Sequence, residues 1–175
     1  MSATPFHRPR VTTITAPNVS HLAKLFTYAT SLAGVYLSVG FMYYYAAKEK
    51  LIDQSGTMPT GLKHEFAGSF LASFPGDNVS WVLLGALEAL IVVLLAVSVV
   101  GGEFLTSRRK PFLLAGLGVS MFALGMMGLA NNMVGDTATA LTVFTYFGLT
   151  AVLLVLIRQL PPYRSIGWIS GAGDK

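Results

Sequence analysis

Glu88 is the residue of this chain best suited to chemistry. It lies inside the apolar run VSWVLLGALEALIVVLLAVSVVG, nine positions after Val79. At about 1.5 Å of rise per helical residue, that is about 14 Å along a helix, close to the centre of a bilayer. A charged carboxylate at such a depth costs roughly 2.5–3.5 kcal/mol, so residues of this kind usually face a bundle interior and find partners there. Two uses follow. One is a hydrogen-bonded glutamate that fixes helix packing, and the other is a proton relay or a ligand for a quinone or lipid headgroup. No further ionisable residue falls at a comparable depth in the sequence. Partners are therefore expected among hydroxyls, amides and backbone, with Ser120, Thr30 and Tyr36 the nearest in level.

Asn131 and Asn132 close the outer end of a later apolar run. Adjacent residues on a helix point about 100° apart, so one is expected to face the bundle while the other caps the exit. Together with Glu88 and Ser120 they make up the candidate ligand or proton site. His64-Glu65 is an acid–base or metal pair by residue type, but sequence neighbours on a helix do not converge on one ion. A solvated face is the better reading of it. His7 and His21 also fall outside the apolar runs, where a haem would need its axial ligands. Cysteine is absent, which removes disulfides, thiolate nucleophiles and Cys-ligated metals. No Walker loop, G-x-S-x-G, H-E-x-x-H or GxGxxG in context is present. The chain is thus expected to carry no catalytic residue and no metal-ligated or covalent cofactor. A quinone is the one cofactor it is expected to be able to hold.

The elements that must position these groups are membrane helices. Of 175 residues, 53% are apolar and 11% charged, against about 25% charged in an ordinary soluble domain. Mean hydropathy is +0.61. So few charges cannot cover a soluble surface, which excludes a soluble enzyme and a disordered chain. Four runs are long enough for the roughly 20 apolar residues a membrane helix needs: 25–47, 79–101, 112–134 and 139–157. Barrel strands would alternate apolar and polar residues, and these runs do not. The expected fold is all-α: an antiparallel bundle of four transmembrane helices, residues 25–157, between a segment 1–24 and a tail 158–175. The first run is expected to be a retained helix rather than a cleaved signal, since residues 1–24 hold no short apolar core before a cleavage site.

Charge sets the expected orientation. Arg8, Arg10, Lys24, Arg108, Arg109, Lys110, Arg158, Arg164 and Lys175 share one side of a four-span topology, nine of the twelve basic residues. Only Lys48, Lys50 and Lys63 fall on the other. The positive-inside rule then places both termini in the cytoplasm of a bacterial inner membrane. The net charge of +4 is thereby a topology signal, and no nucleic-acid partner is expected. The Arg108–Lys110 cluster is placed to touch anionic lipid. Tyr43, Tyr44, Tyr45 and Trp81 on the outside, and Tyr163 and Trp168 on the inside, read as interfacial anchors.

Small residues at four-residue spacing mark close helix contacts in lipid: Thr30, Gly34 and Ser38 on the first span, Gly85 and Ala89 on the second, and Gly116, Ser120, Gly128 and Asn132 on the third. The outer loop, residues 48–78, is too long for a simple turn. Within it Leu62, Phe66, Ala67, Phe70, Leu71 and Phe74 recur at helical spacing, between Pro59-Thr60 and Pro75-Gly76. This predicts an amphipathic helix of three to four turns on the outer surface or across the mouth of the bundle. Phe66 and Phe70, with His64 and Glu65, form its candidate docking face.

Lys48 and Lys50 directly after the first span, a long outer loop, and Leu84-Gly85-Ala86-Leu87-Glu88 in the second span together resemble the DoxX-like family of four-helix membrane proteins. Families of this shape include a membrane subunit of thiosulfate:quinone oxidoreductase, bacterial partners of thiol-redox and superoxide-handling proteins, and eukaryotic assembly or cargo factors. Related four-helix thiol oxidoreductases use cysteine pairs, which this chain lacks. The resemblance implies a non-catalytic membrane subunit or anchor of a redox complex, quinone-linked, with a protein partner that holds the redox centre. Two alternatives stand beside it. One is a membrane assembly factor docking through the loop helix, and the other a small-solute or proton transporter using Glu88.

Overall fold

The structure is a computed structural model that describes residues 19–160, without the side chains of residues 19–22 and 24. Arg8, Arg10, Arg164, Lys175, Tyr163 and Trp168 lie outside the described residues. Six α-helices follow one another: α1 (Val19–Lys48), α2 (Thr60–Phe66), α3 (Phe70–Ser73), α4 (Asp77–Val100), α5 (Pro111–Met133) and α6 (Thr137–Gln159), with a π-helical turn at Glu49–Asp53 continuing α1. Four are long and apolar enough to cross a membrane, α4, α5 and α6 along their whole length and the first from Leu25 through the π turn to Asp53. The chain is a multi-pass, all-helical membrane protein. Its spans match the four expected runs, except that the first continues past residue 47 as the π turn.

Each boundary has a local cause. Gly76 precedes α4 at φ +102°, a conformation that favours glycine. Pro111 occupies the first turn of α5, where its missing N–H is no loss. Asp136 caps α6, accepting a hydrogen bond from the Thr139 N–H at 3.0 Å.

Successive spans pack as antiparallel neighbours: α1 on α4, α4 on α5 and α5 on α6. The core stripe of α1 is Leu32, Val35, Val39 and Tyr43, set against Ile91 and Leu95 of α4 and Leu113 and Leu117 of α5. The stripe Thr30, Gly34 and Ser38 is a correction, because it faces outward. Its hydroxyls are satisfied within their own helix, Thr30 by the Phe26 carbonyl at 2.8 Å and Ser38 by the Gly34 carbonyl at 2.7 Å. Large side chains one residue further round fill the interface instead. On α5 the small residues do make contacts, for Gly116, Ser120 and Gly128 are buried while Asn132 is exposed. A β-carbon at Gly128 would lie 2.8–3.1 Å from the Phe144 ring of α6.

The expected single loop helix is broken in two. Gly68 is a poor helix former, and Ser69 adopts an extended conformation (φ −92°, ψ 161°) that ends one helix and starts the next. The break turns Leu62 and Phe66 of α2 and Leu71 of α3 to one side, over the start of α4 and the end of α5. Phe70 and Phe74 point away, 62% and 67% exposed. Asn78 ties this loop down, its Oδ1 accepting from the Met58 N–H at 3.1 Å.

Candidate functional site

The partner of Glu88 is Lys50, and this corrects the expectation of hydroxyl or backbone partners. Lys50 Nζ donates to Glu88 Oε1 at 3.0 Å, with the two side chains 7% and 2% exposed. Lys50 follows α1 and reads from sequence as a loop residue in water. The π turn supplies the difference, because its wider winding rotates Lys50 inward toward α4. Lys48, two residues earlier, stays outside and pairs with Asp53 at 2.8 Å. Gly85 makes room for the inward turn. A β-carbon there would come within 3.0 Å of the Leu51 side chain and 3.1 Å of Lys50 Cβ. Gly85 precedes Glu88 by three residues, so the groove that admits Lys50 and the carboxylate that receives it lie on one face of α4.

The Lys50 ammonium has two further neighbours. The Ala46 carbonyl accepts from it at 3.5 Å, and the Trp81 ring centre lies 4.8 Å away, in range for a cation–π contact. Trp81 is itself held by a hydrogen bond from its Nε1–H to Gln54 Oε1 at 2.9 Å, just after the π turn. Among the described residues Glu88 Oε2 has no hydrogen-bond partner.

Lys50 and Trp81 form part of the wall of a cavity of about 420 Å³. The loop helices roof it through Leu62, Phe66 and Leu71, while Leu84 and Leu87 of α4 and Met126 and Met127 of α5 line its sides. That volume lies within the roughly 300–1,000 Å³ of small-molecule sites, which are likewise mostly apolar with a few placed polar groups. The polar groups here are Lys50, Asp77, Ser80, Asn131 and Thr139.

The other expected site residues are distributed around this centre. Asn131 lines the cavity, with its Nδ2 donating to the Met127 carbonyl at 2.9 Å, whereas Asn132 is exposed. Ser120 is fully buried and bonds not Glu88 but the Tyr43 hydroxyl, at 2.5 Å. Tyr43 is therefore a core residue at 2% exposure rather than an interfacial anchor. Phe66 faces the cavity and is not part of an outward docking face. Phe70, His64 and Glu65 are exposed.

A second buried polar cluster holds the opposite end of the bundle together, and sequence reasoning passed over it. Glu103 is 4% exposed and its Oε2 accepts from Ser98 Oγ at 2.5 Å, while Ser98 meets the Tyr36 hydroxyl at 2.6 Å. Its two oxygens also accept the first-turn N–H groups of α5, Phe112 at 3.0 Å and Leu113 at 2.9 Å. A carboxylate there complements the positive end of the helix dipole. An acid placed between Gly101-Gly102 and Pro111 was the sequence signal for it. Lys110 is also buried, which corrects its placement on anionic lipid. Its Nζ donates to the carbonyls of Arg108 at 3.2 Å and Leu105 at 3.4 Å. Burial pushes the Lys110 ammonium below the usual lysine range, an effect the nearby Glu103 carboxylate opposes.

The two clusters are separated by apolar side chains, with Ile91, Leu95 and Leu117 between them at 0–4% exposure. Comparison with family models, with curated proteins and with solved structures finds no match to this chain.

Proposed function

We propose that this protein is a DoxX-like membrane subunit of a redox complex, and that it holds the ring of a membrane-soluble, quinone-type compound in the outer cavity beside Lys50. The observation that carries this reading is an apolar cavity of about 420 Å³ with a buried ammonium in its wall. Lysine offers three N–H donors. The contacts to Glu88 and Ala46 take two, which leaves the third for a ligand oxygen. Trp81 offers a flat face to a ring. The redox centre itself belongs to a partner protein, because the chain has no cysteine and no cluster of metal-ligating side chains among the described residues. The apolar layer at Ile91, Leu95 and Leu117 favours binding over conduction, since a proton or solute path needs continuous polar groups or water. The charge distribution supports a bacterial inner membrane with both termini cytoplasmic.

The test is mass spectrometry of the protein purified in mild detergent, covering both co-purified proteins and the organic extract. The expected result is a flavin, haem or thiol-redox partner together with a quinone-type compound. The compound should be absent from a Leu62→Trp variant, in which the larger side chain fills the cavity from its roof. Recovery of the chain with phospholipid alone, unchanged in that variant, would overturn the reading.

A further inference from the structure

The lining of the cavity runs past the inner faces of its helices. On α4 it includes Leu84 and also Leu83, and on α5 Met127 and also Met126. Successive residues of a helix point about 100° apart, so each pair carries the lining round from the face turned into the bundle to the face turned away from it. Exposure follows the same turn. Leu84 and Met127 are half-buried, whereas Leu83 is 55% and Met126 46% exposed. Beyond them the surface continues as Leu90 of α4 and Phe122 and Leu129 of α5, all exposed. The seam between α4 and α5 is therefore open on one side, and both its edges and its surroundings are apolar.

The height of this opening decides what it faces. Leu83 lies six residues from the start of α4 and Met126 seven from the end of α5, about 10 Å along antiparallel helices, so the two stand at one level. A helix of 24 residues is about 36 Å long and hydrocarbon about 30 Å thick. With the excess shared between the ends, the opening lies about 6 Å inside the hydrocarbon. Lys50 stands at nearly the same height, because its Cβ packs at the position of Gly85, two residues beyond Leu83. Gly85 and Leu83 point about 200° apart round α4. The ammonium thus marks one end of the cavity and the opening the other. The remaining exposed lining residues, Pro75 and Thr139, lie nearer the helix ends, beside the roof of Leu62, Phe66 and Leu71.

We infer that the cavity is entered from the lipid, through the seam at Leu83 and Met126, and that its ligand is a ring compound whose apolar tail stays in the hydrocarbon. This inference rests on the proposed ligand class and adds the route and the tail. A ring that slides in sideways reaches Lys50 without its tail leaving lipid. Through the rim at Pro75 and Thr139 the tail would have to follow the ring out of the hydrocarbon, and each methylene so exposed to water lowers affinity about 4-fold.

The experiment uses the full-length protein in lipid nanodiscs with a decyl-substituted benzoquinone that carries a diazirine at the end of its tail. After irradiation, adducts are mapped by digestion and mass spectrometry, with and without an excess of the unlabelled compound. Adducts that the excess removes should fall on the outward faces of α4 and α5, around Leu83, Leu90, Phe122, Met126 and Leu129. Leu83→Trp, on an exposed edge outside the core, should slow the approach to full labelling several-fold. Competed adducts on residues 62–75 or 137–139 instead, or an unchanged rate in Leu83→Trp, overturn the lipid route while leaving the ligand class standing. Adducts that the excess does not reduce anywhere overturn both.

Discussion

Replacing Glu88 and Lys50 by methionine, singly and together, should give stabilities far from additive. The pair is nearly sealed from solvent, at 2% and 7% side-chain exposure, and only one carboxylate oxygen is bonded. Removing either partner leaves the other charge buried and uncompensated, a loss of about 3–5 kcal/mol. Removing both leaves two flexible apolar side chains of suitable volume, and exchanges of that kind are often neutral or stabilising. Each single variant should therefore lose at least about 3 kcal/mol, and the double variant less than either. For a chain of this size 1 kcal/mol moves the melting temperature by about 2–4 °C. Drops of about 6 °C or more are expected in the single variants, with most of the loss recovered in the double. Thermal unfolding in mild detergent, followed by circular dichroism, measures all four proteins. Single losses below about 1 kcal/mol, the value for exposed pairs, or a double loss equal to the sum of the singles, would refute the buried pairing and with it the role given to the π turn.

Four further outcomes follow from the packing and the caps. Gly85→Ala should displace Leu51 and Lys50 from α4, so the penalty of Glu88→Met measured in that background should shrink, as a second thermal cycle would show. Gly128→Ala drives a methyl group into the Phe144 ring and should cost about 1–3 kcal/mol, read as a lower melting temperature that Phe144→Leu restores in part. Glu103→Ala strips Ser98, Phe112 and Leu113 of one shared acceptor. It should speed amide exchange in the first turn of α5 by about 10-fold or more. Asp136 is held below the usual carboxylate range, first by the Thr139 hydroxyl and then by backbone N–H groups. Because its folded value is depressed, its cap is fully effective above the unfolded value of about 3.9 and is lost as pH falls through the folded one. Exchange at the start of α6 should accelerate only in that acid window, and Asp136→Asn should keep the cap but lose its pH dependence.

The spans were legible because apolar runs of this length have one stable form in lipid, and the structure keeps all four. Glu88 was legible as a buried group for the same reason: its depth follows from counting along a helix. Its partner was not. Lys50 lies beyond the apolar run, and only the winding of a π turn carries it back inside, which no residue pattern in the run announces. The division of the loop helix rests on Gly68 and Ser69, two ordinary residues whose effect depends on what Leu62 and Leu71 cover. Tyr43 and Lys110 looked interfacial by type and are buried, Tyr43 through the Ser120 hydroxyl of α5 and Lys110 through the carbonyls of Leu105 and Arg108 in its own loop.

The buried pair also bears on how four similar helices find their order. In lipid, one leucine- and valine-rich cylinder packs against another with little preference, and no water drives the choice. α5 carries no charged residue within its helix, and α6 carries only Arg158, in its last turn. Among the described residues the extension of α1 supplies the cation that pairs with Glu88, in the register that places Gly85 beneath Leu51. The ion pair thus acts as an address during assembly. It marks which neighbour α4 must accept and at what height, and a chain that loses it should still insert but should sample wrong partners before settling.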